Sequence, residues 1–282
     1  MPVTGVTRRA IYHRKKRLMC GIAGFSISPS SAVDRTRAAQ ALLAAIAERG
    51  ADAVGYAFRS PGSPMSVHKQ RTGASAVLDR IVIPADTHQV LLHVRDYTKG
   101  HPSIAANNHP VRHGPVVGIH NGIIVNDDEL LAEFDCARAE PRMTVDSEAI
   151  FALAAHSRNA PSAFEELLGS MATAWLDARE PGTVFVARGI GRPLWLGAGR
   201  HELFFASTRD ALQVVERYAG VKLRKRELED GTFLSLRGAK VVRSERFRPN
   251  PRYEEPGKPL PAVRAPGEGA SCLERLAVLA AA

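Results

Sequence analysis

Four clusters of residues along this chain are equipped for chemistry. The first is Met19-Cys20-Gly21-Ile22-Ala23-Gly24-Phe25, a thiol set directly behind a methionine. The second, His93-Val94-Arg95-Asp96-Tyr97-Thr98-Lys99-Gly100, leads into Asn107-Asn108-His109-Pro110. The third is His120-Asn121-Gly122 and the fourth Thr144-Val145-Asp146-Ser147-Glu148. A thiol with a pKa near 8.5 is only a few per cent ionised at neutral pH, so Cys20 needs a base close by to act as a nucleophile. The α-amine of a first residue, with a pKa of about 7.7–8.0, is such a base and sits on the same residue. Acyl transfer to that thiol passes through an oxyanion. The Asn121 side-chain amide and the Gly122 backbone N–H, at the end of a strand, are suitable donors for it.

Each residue also has a plainer use. Cys20 alone reads as a buried small hydrophobe. Asn121-Gly122 between two apolar runs is a hairpin-turn signal. Arg95 and Asp146 alone read as a surface pair and a helix N-cap. His93, His109 and His120 read as hydrogen-bonding residues rather than metal ligands, because His109–His113 contains Pro110 and offers no helical i, i+4 face. Gly189-Ile190-Gly191 lacks the third glycine of a dinucleotide site. No metal or cofactor is expected.

The elements that must position these clusters can be read from periodicity. The run from Cys20 to Ile27 predicts a buried strand. Asp34 predicts the cap of a helix whose Ala39, Leu42, Leu43 and Ile46 share one face, with Gly50 ending it in a left-handed conformation. Val54–Phe58, Gln89–Val94 and Val116–His120 are strand candidates. Asn126 with Glu129 makes a capping box for a helix Asp127–Phe134, and a second helix spans Asp146 to Ser157. From Thr173 the chain is β-rich: Thr173–Leu176, Thr183–Ala187, Leu194–Leu196, Leu203–Ala206, Thr232–Leu236 and Lys240–Val242, with one helix at Thr208–Val215. Two sheets with helices outside follow from this order.

In sequence order the clusters resemble the class II glutamine amidotransferase domain, the N-terminal-nucleophile (Ntn) glutaminase half of glucosamine-6-phosphate synthase and amidophosphoribosyltransferase. Cys20-Gly-Ile, Arg49-Gly50-Ala51-Asp52 with Gly55, His93-x-Arg95-x-x-Thr98-x-Gly100, Asn107-x-His109-Pro110, His120-Asn121-Gly122 and Asp146-Ser147-Glu148 all match its pattern, and Phe204-Phe205-Ala206-Ser207 extends it. The resemblance covers roughly residues 20–242 and implies an α+β fold, the Ntn-hydrolase four-layer αββα sandwich of two packed, mainly antiparallel sheets. It implies L-glutamine as substrate, hydrolysed to glutamate and ammonia through a thioester on Cys20. Asn121 and Gly122 then form the oxyanion hole, and Arg95, Thr98, His120 and Asp146 bind substrate, Arg95 at the carboxylate and Asp146 at the ammonium. Two departures stand out. Where the synthase relatives commonly carry an aromatic residue after the arginine, this chain has Asp96, and the segment Gly100–His109 is about one residue longer.

The expected domain organisation is a basic leader at 1–19, the amidotransferase domain at 20–247 and a Pro-rich tail at 248–282 whose end, Cys272–Ala282, could form a short apolar helix. Six of the 18 prolines fall between Pro249 and Pro266, which predicts an extended, solvated stretch. The resemblance contains no second, ammonia-accepting domain here, so a separate synthase is the expected partner. A stand-alone hydrolase of another γ-glutamyl amide, or an inactive binding protein whose basic leader touches nucleic acid, are the competing readings.

The 282 residues are 45% hydrophobic and 24% charged, which excludes a wholly disordered or collagen-like chain. The formal charge is +9, yet six of those charges lie in the leader, among Arg8, Arg9, Arg14, Lys15, Lys16 and Arg17. Residues 20–242 carry 25 basic and 24 acidic groups, so a nucleic-acid partner is not expected. Three scattered cysteines and the lack of a long apolar run point to a cytoplasmic protein without membrane spans; homo-oligomerisation is left open. The mechanism requires a free Cys20 amine, so the leader is expected to be absent or removed, most simply by initiation at Met19.

Overall fold

The computed structural model describes residues 20–253 and 263–281; the leader 1–19, residues 254–262 and Ala282 lie outside the described residues. In chain order the elements are β1 (Gly21–Ile27), α1 (Arg35–Ile46), β2 (Ala53–Arg59), β3 (Ser66–Gln70), β4 (Gln89–Arg95), β5 (Val111–His113), β6 (Val116–Ile124), α2 (Asp127–Glu133), α3 (Glu148–His156), β7 (Gly169–Asp177), β8 (Thr183–Arg188), β9 (Trp195–Ala198), β10 (Glu202–Ala206), α4 (Arg209–Ala219), β11 (Arg224–Glu227), β12 (Thr232–Arg237), β13 (Lys240–Arg246) and α5 (Pro266–Ala281). They build one seven-stranded sheet, ordered β11-β9-β10-β1-β4-β2-β3, and one six-stranded sheet, ordered β13-β12-β8-β7-β6-β5. The named strand pairs are antiparallel.

The period-2 alternation of the strands explains the layering. Phe25 and Ile27 of β1 face α1, α4 and α5, packing with Leu42, Leu43, Leu212 and Leu276, while Ile22 faces the other sheet with Leu91, Ile119, Val186 and Leu234. A third apolar layer, Phe151, Phe164, Trp175, Phe185 and Phe233, lies outside the six-stranded sheet against α3. Two sheets thus pack face to face with helices on both outer faces, the four-layer αββα sandwich. β1 is buried at every position because apolar layers cover both its faces.

Several sequence expectations are corrected. Gly50 is extended, at φ −179°, after a short turn of 3-10 helix at Ala47–Arg49; a Cβ there would lie 2.4 Å from the Arg95 carbonyl, so close backbone approach to β4 is what demands glycine. Asn121-Gly122 is no turn but the middle of β6, paired with Ala172 and Met171 of β7. Asn126 does not cap α2 with its side chain; it donates to Glu166 O and accepts from Leu168 N instead, clamping the approach to β7. The C-terminal helix begins at Pro266, before Cys272, and is docked: Gly269, Cys272 and Leu276 are buried against the α1 side of the sandwich. β3, β5 and β11 carry too few apolar residues for the alternation test, since all three run along sheet edges. Among the described residues no helix is long and apolar enough to cross a membrane.

Candidate active site

Cys20 lies one residue before β1, and the β1–β4 register, Gly21 against Val94, brings it beside the Arg95 end of β4. Its neighbours hold it on both sides. Arg49, just after α1, donates from Nε to the Cys20 carbonyl at 3.0 Å, and the Cys20 thiol donates to the Asp96 carbonyl oxygen at 3.5 Å. Across the layer between the sheets, the His93 ring meets the His120 carbonyl oxygen through Nε2 at 3.1 Å. That bond ties β4 to β6, and so the nucleophile's sheet to the sheet that carries Asn121 and Gly122.

Gly122 has φ +149°, and a Cβ at that position would stand 1.9 Å from Ser170 O and 2.6 Å from His120 Nε2. Only glycine lets β6 keep its pairing with β7 here while the peptide turns toward the cleft. Asn121 is wholly buried and both its amide atoms are without a hydrogen-bond partner among the described residues. A buried amide with unmet donors and acceptors is costly unless something else occupies them.

A narrow cleft is lined by Cys20, Arg95, Tyr97, Thr98, Lys99, His109, His120, Gly122, Val145, Asp146 and Ser147. All the site residues expected from sequence except Asn121 therefore line one cavity, and Asn121 is the residue between two that do. Arg95 spends three of its five N–H groups on the fold, donating to Asn108 Oδ1 at 2.6 Å, Lys99 O at 2.8 Å and Gly100 O at 2.5 Å, and keeps two. The first of these bonds explains the second asparagine of the Asn107-Asn108 pair. Asn107 accepts from Thr144 N and Val145 N, at 2.7 and 3.0 Å, and so fixes the chain that delivers Asp146. Asp146 accepts from Ile124 N at 2.7 Å. His120 has both ring nitrogens engaged, with Ser147 Oγ at 2.8 Å and Ser170 O at 3.3 Å, so it offers the cleft a wall rather than a free donor.

Residues 93–214 match the family described as "Glutamine amidotransferase domain". The glutamine–fructose-6-phosphate aminotransferase (isomerizing) of Shigella flexneri is 31% identical over 219 residues, 71% of this chain and 33% of its own length. The same-named protein of Pseudomonas putida is 30% identical over 237 residues, 79% of this chain and 36% of its own. Among solved structures, the glutamine phosphoribosylpyrophosphate amidotransferase from B. subtilis superposes with a TM-score of 0.63 at 20% identity, covering 80% of this chain and 49% of that one. The chain carries a class II glutamine amidotransferase domain. It spans about a third of the length of the curated relatives it matches.

Electrostatics in the amidotransferase domain are set by burial. Desolvation pushes the Cys20 thiol up to about 11, against the pull of the Asp96 carbonyl and Arg95. Desolvation likewise drives His93 and His120 down to about 3, and His109, stacked on His93 with ring centroids 4.1 Å apart, well below the usual imidazole range. All three imidazoles are neutral at pH 7. Burial lifts the Asp146 carboxyl to about 6, with the Ile124 N–H opposing.

Sequence reasoning passed over several residues that shape the amidotransferase site. Arg49 and Asp52 appear in the motif quoted above without a role; Arg49 holds Cys20, and Asp52 accepts from Tyr97 N at 2.9 Å, holding the loop after β4. Lys99 reaches Asp127 at the start of α2 at 2.7 Å, anchoring the far end of that loop. Asp96 faces Arg264, Nε to Oδ2 3.2 Å, from the segment leading into α5. No local periodicity could reveal a partner 168 residues away.

Proposed function

We propose that the domain hydrolyses the side-chain amide of L-glutamine. The observation that carries this reading is one cleft in which the Cys20 thiol, Gly122, Arg95, Thr98 and Asp146 meet. The α-carboxylate of glutamine pairs with the two free N–H groups of Arg95, assisted by Thr98, and the α-ammonium pairs with Asp146. The Cys20 sulfur attacks the amide carbon while the Cys20 α-amine takes the thiol proton. The oxyanion is held by the Gly122 N–H and the Asn121 amide, the group that is otherwise left without partners. The ammonium of Cys20 then gives its proton to the leaving nitrogen, ammonia departs, and a γ-glutamyl thioester remains on Cys20. Water attacks that thioester with the amine again as base, releasing glutamate and restoring the thiol.

This mechanism needs Cys20 to be the first residue, because an acylated nitrogen has no basic lone pair. Support comes from the cleft itself. The imidazoles lining it, His109 and His120, both depressed far below neutral, are weak bases for a thiol pushed up to about 11, so the α-amine is the group matched to the task.

The liberated ammonia is passed to an acceptor on a separate synthase. A reactive thiol of this kind is best kept in a reducing compartment, which favours the cytoplasm. Asp96 does not favour a different amide substrate: its carboxylate pairs with Arg264 and its carbonyl accepts from the thiol.

The test is release of glutamate and ammonia from glutamine by purified protein, with glutaminyl peptides and other γ-glutamyl amides in parallel. Glutamine should be the preferred substrate, and Cys20→Ala should lose all release. Turnover unaffected by Cys20→Ala would overturn the reading.

A further inference from the structure

Among the described residues Cys20 makes two side-chain-mediated hydrogen bonds, and the C-terminal segment stands behind both. One comes from Arg49 Nε to the Cys20 carbonyl. Glu48, the residue before Arg49, accepts on its carbonyl from Arg264 N at 2.7 Å and Ala265 N at 2.8 Å. The other runs from the Cys20 thiol to the Asp96 carbonyl, and Asp96 is the residue whose carboxylate meets Arg264. A single short stretch, Arg264-Ala265, therefore touches both walls of the nucleophile's socket.

The helix that follows fixes that stretch in place. Gly269 of α5 is buried so close to Glu48 that a Cβ would fall 2.8 Å from Glu48 Cβ. Glu268 accepts from Ser75 N and Ser75 Oγ, both at 3.0 Å. Arg37 of α1 donates to Leu279 O at 2.6 Å, and Cys272 and Leu276 complete the apolar seam.

We infer that Arg264 is a positioning residue for the glutaminase reaction, and that α5 is the brace holding it, acting through Asp96 and Glu48 on the loop 96–100 and on Cys20. This rests on the reading of Cys20 as nucleophile. Through Asp96, Arg264 keeps the loop that carries Thr98 and Lys99 closed over the cleft; the departure at residue 96 and the C-terminal helix are then one device. Arg264 and Asp96 are 29% and 15% exposed, so their pair alone is worth a modest factor, and undocking the helix a larger one.

The experiment compares the full chain with Arg264→Gln, Arg264→Lys, Asp96→Asn and Leu276→Asp, reading kcat and KM for glutamine and, separately, the rate of Cys20 alkylation by iodoacetamide. Arg264→Gln and Asp96→Asn should each raise KM about two- to fivefold with kcat within twofold, speed alkylation by a similar factor, and not add when combined. Arg264→Lys should recover most of the loss. Leu276→Asp should lower the unfolding midpoint, because Leu276 belongs to the core packed on α1 and β1, and should speed alkylation about tenfold or more at temperatures where circular dichroism shows the sandwich folded. Alkylation reads the brace even if the wild type turns over no glutamine, in which case the functional reading fails and the brace stands or falls on alkylation alone. Wild-type alkylation rates in Arg264→Gln and Leu276→Asp, both folded, would overturn the inference; where Leu276→Asp does not fold, Arg264→Gln and Asp96→Asn decide it.

Discussion

The Cys20 thiol donates to the Asp96 carbonyl oxygen at 3.5 Å, a contact that orients the sulfur and supplies no base. A carbonyl hydrogen bond cannot accept the proton, and burial has raised the thiol's pKa to about 11. The surrounding histidines, two of them near 3, are equally unsuited. The catalytic account therefore stands on the nitrogen of Cys20 itself.

Removing the sulfur should end turnover. Cys20→Ala and Cys20→Ser are expected to lower glutamine hydrolysis by about 10³-fold or more, while circular dichroism and the unfolding midpoint stay close to wild type, since the Arg49 and Asp96 contacts are to the backbone at one end and a weak thiol bond at the other.

Asn121→Ala should lower kcat by about 10²–10³-fold, the usual worth of one oxyanion donor, with KM changed little. The Asn121 amide meets no other group, so stability should hold or rise slightly. A KM effect without a kcat effect would assign Asn121 to ground-state binding.

Asp146 ties activity to pH. Its folded-state pKa, about 6, is raised above the ordinary 3.8, so the folded chain holds this proton more tightly than the unfolded one. Stability from this group is thus full at low pH and is lost as pH rises from about 4 through about 6, a cost on the order of 2–3 kcal/mol at pH 7. Asp146→Asn should be more stable than wild type at pH 7 and indistinguishable below about pH 4, yet bind glutamine poorly. For the wild type, KM for glutamine should rise as pH falls below about 6, because the protonated carboxyl no longer pairs with the substrate ammonium. Chemical denaturation against pH and a KM profile check the two halves independently.

Gly122→Ala places a methyl 1.9 Å from Ser170 O at a φ of +149°. Loss of about 2–4 kcal/mol is expected from the strained backbone and the broken β6–β7 pairing, with activity lost in whatever remains folded. Gly189→Ala, whose Cβ would meet its nearest neighbour at 3.3 Å, is the milder control.

Much of this site was legible along the chain because its parts are local. Cys20-Gly21 and Arg95 through Thr98 lie at strand ends, His120-Asn121-Gly122 within β6 and Asp146 just before α3, and the order of motifs placed them in one fold. Long central elements such as β1, β6 and α1 were found from their apolar pattern. What escaped has a physical reason in each case. Asn121-Gly122 reads locally as a turn, yet pairing with β7 holds it in a strand. Gly50 was assigned to a helix cap when its constraint is the Arg95 backbone, 45 residues on. The polar edge strands β3 and β11 are fixed by one neighbour each and show no buried face. Arg264 acts across 168 residues, beyond any local pattern.

The central claim is that the Cys20 α-amine is the base, and it is tested most directly by assaying two forms of matched purity, verified by intact mass: one beginning at Cys20 and one retaining residues 1–19. The form beginning at Cys20 should release glutamate and ammonia from glutamine, and the extended form should be at least about 10²-fold slower for want of a general base. Equal turnover by the two forms, or an inert form beginning at Cys20, would contradict it.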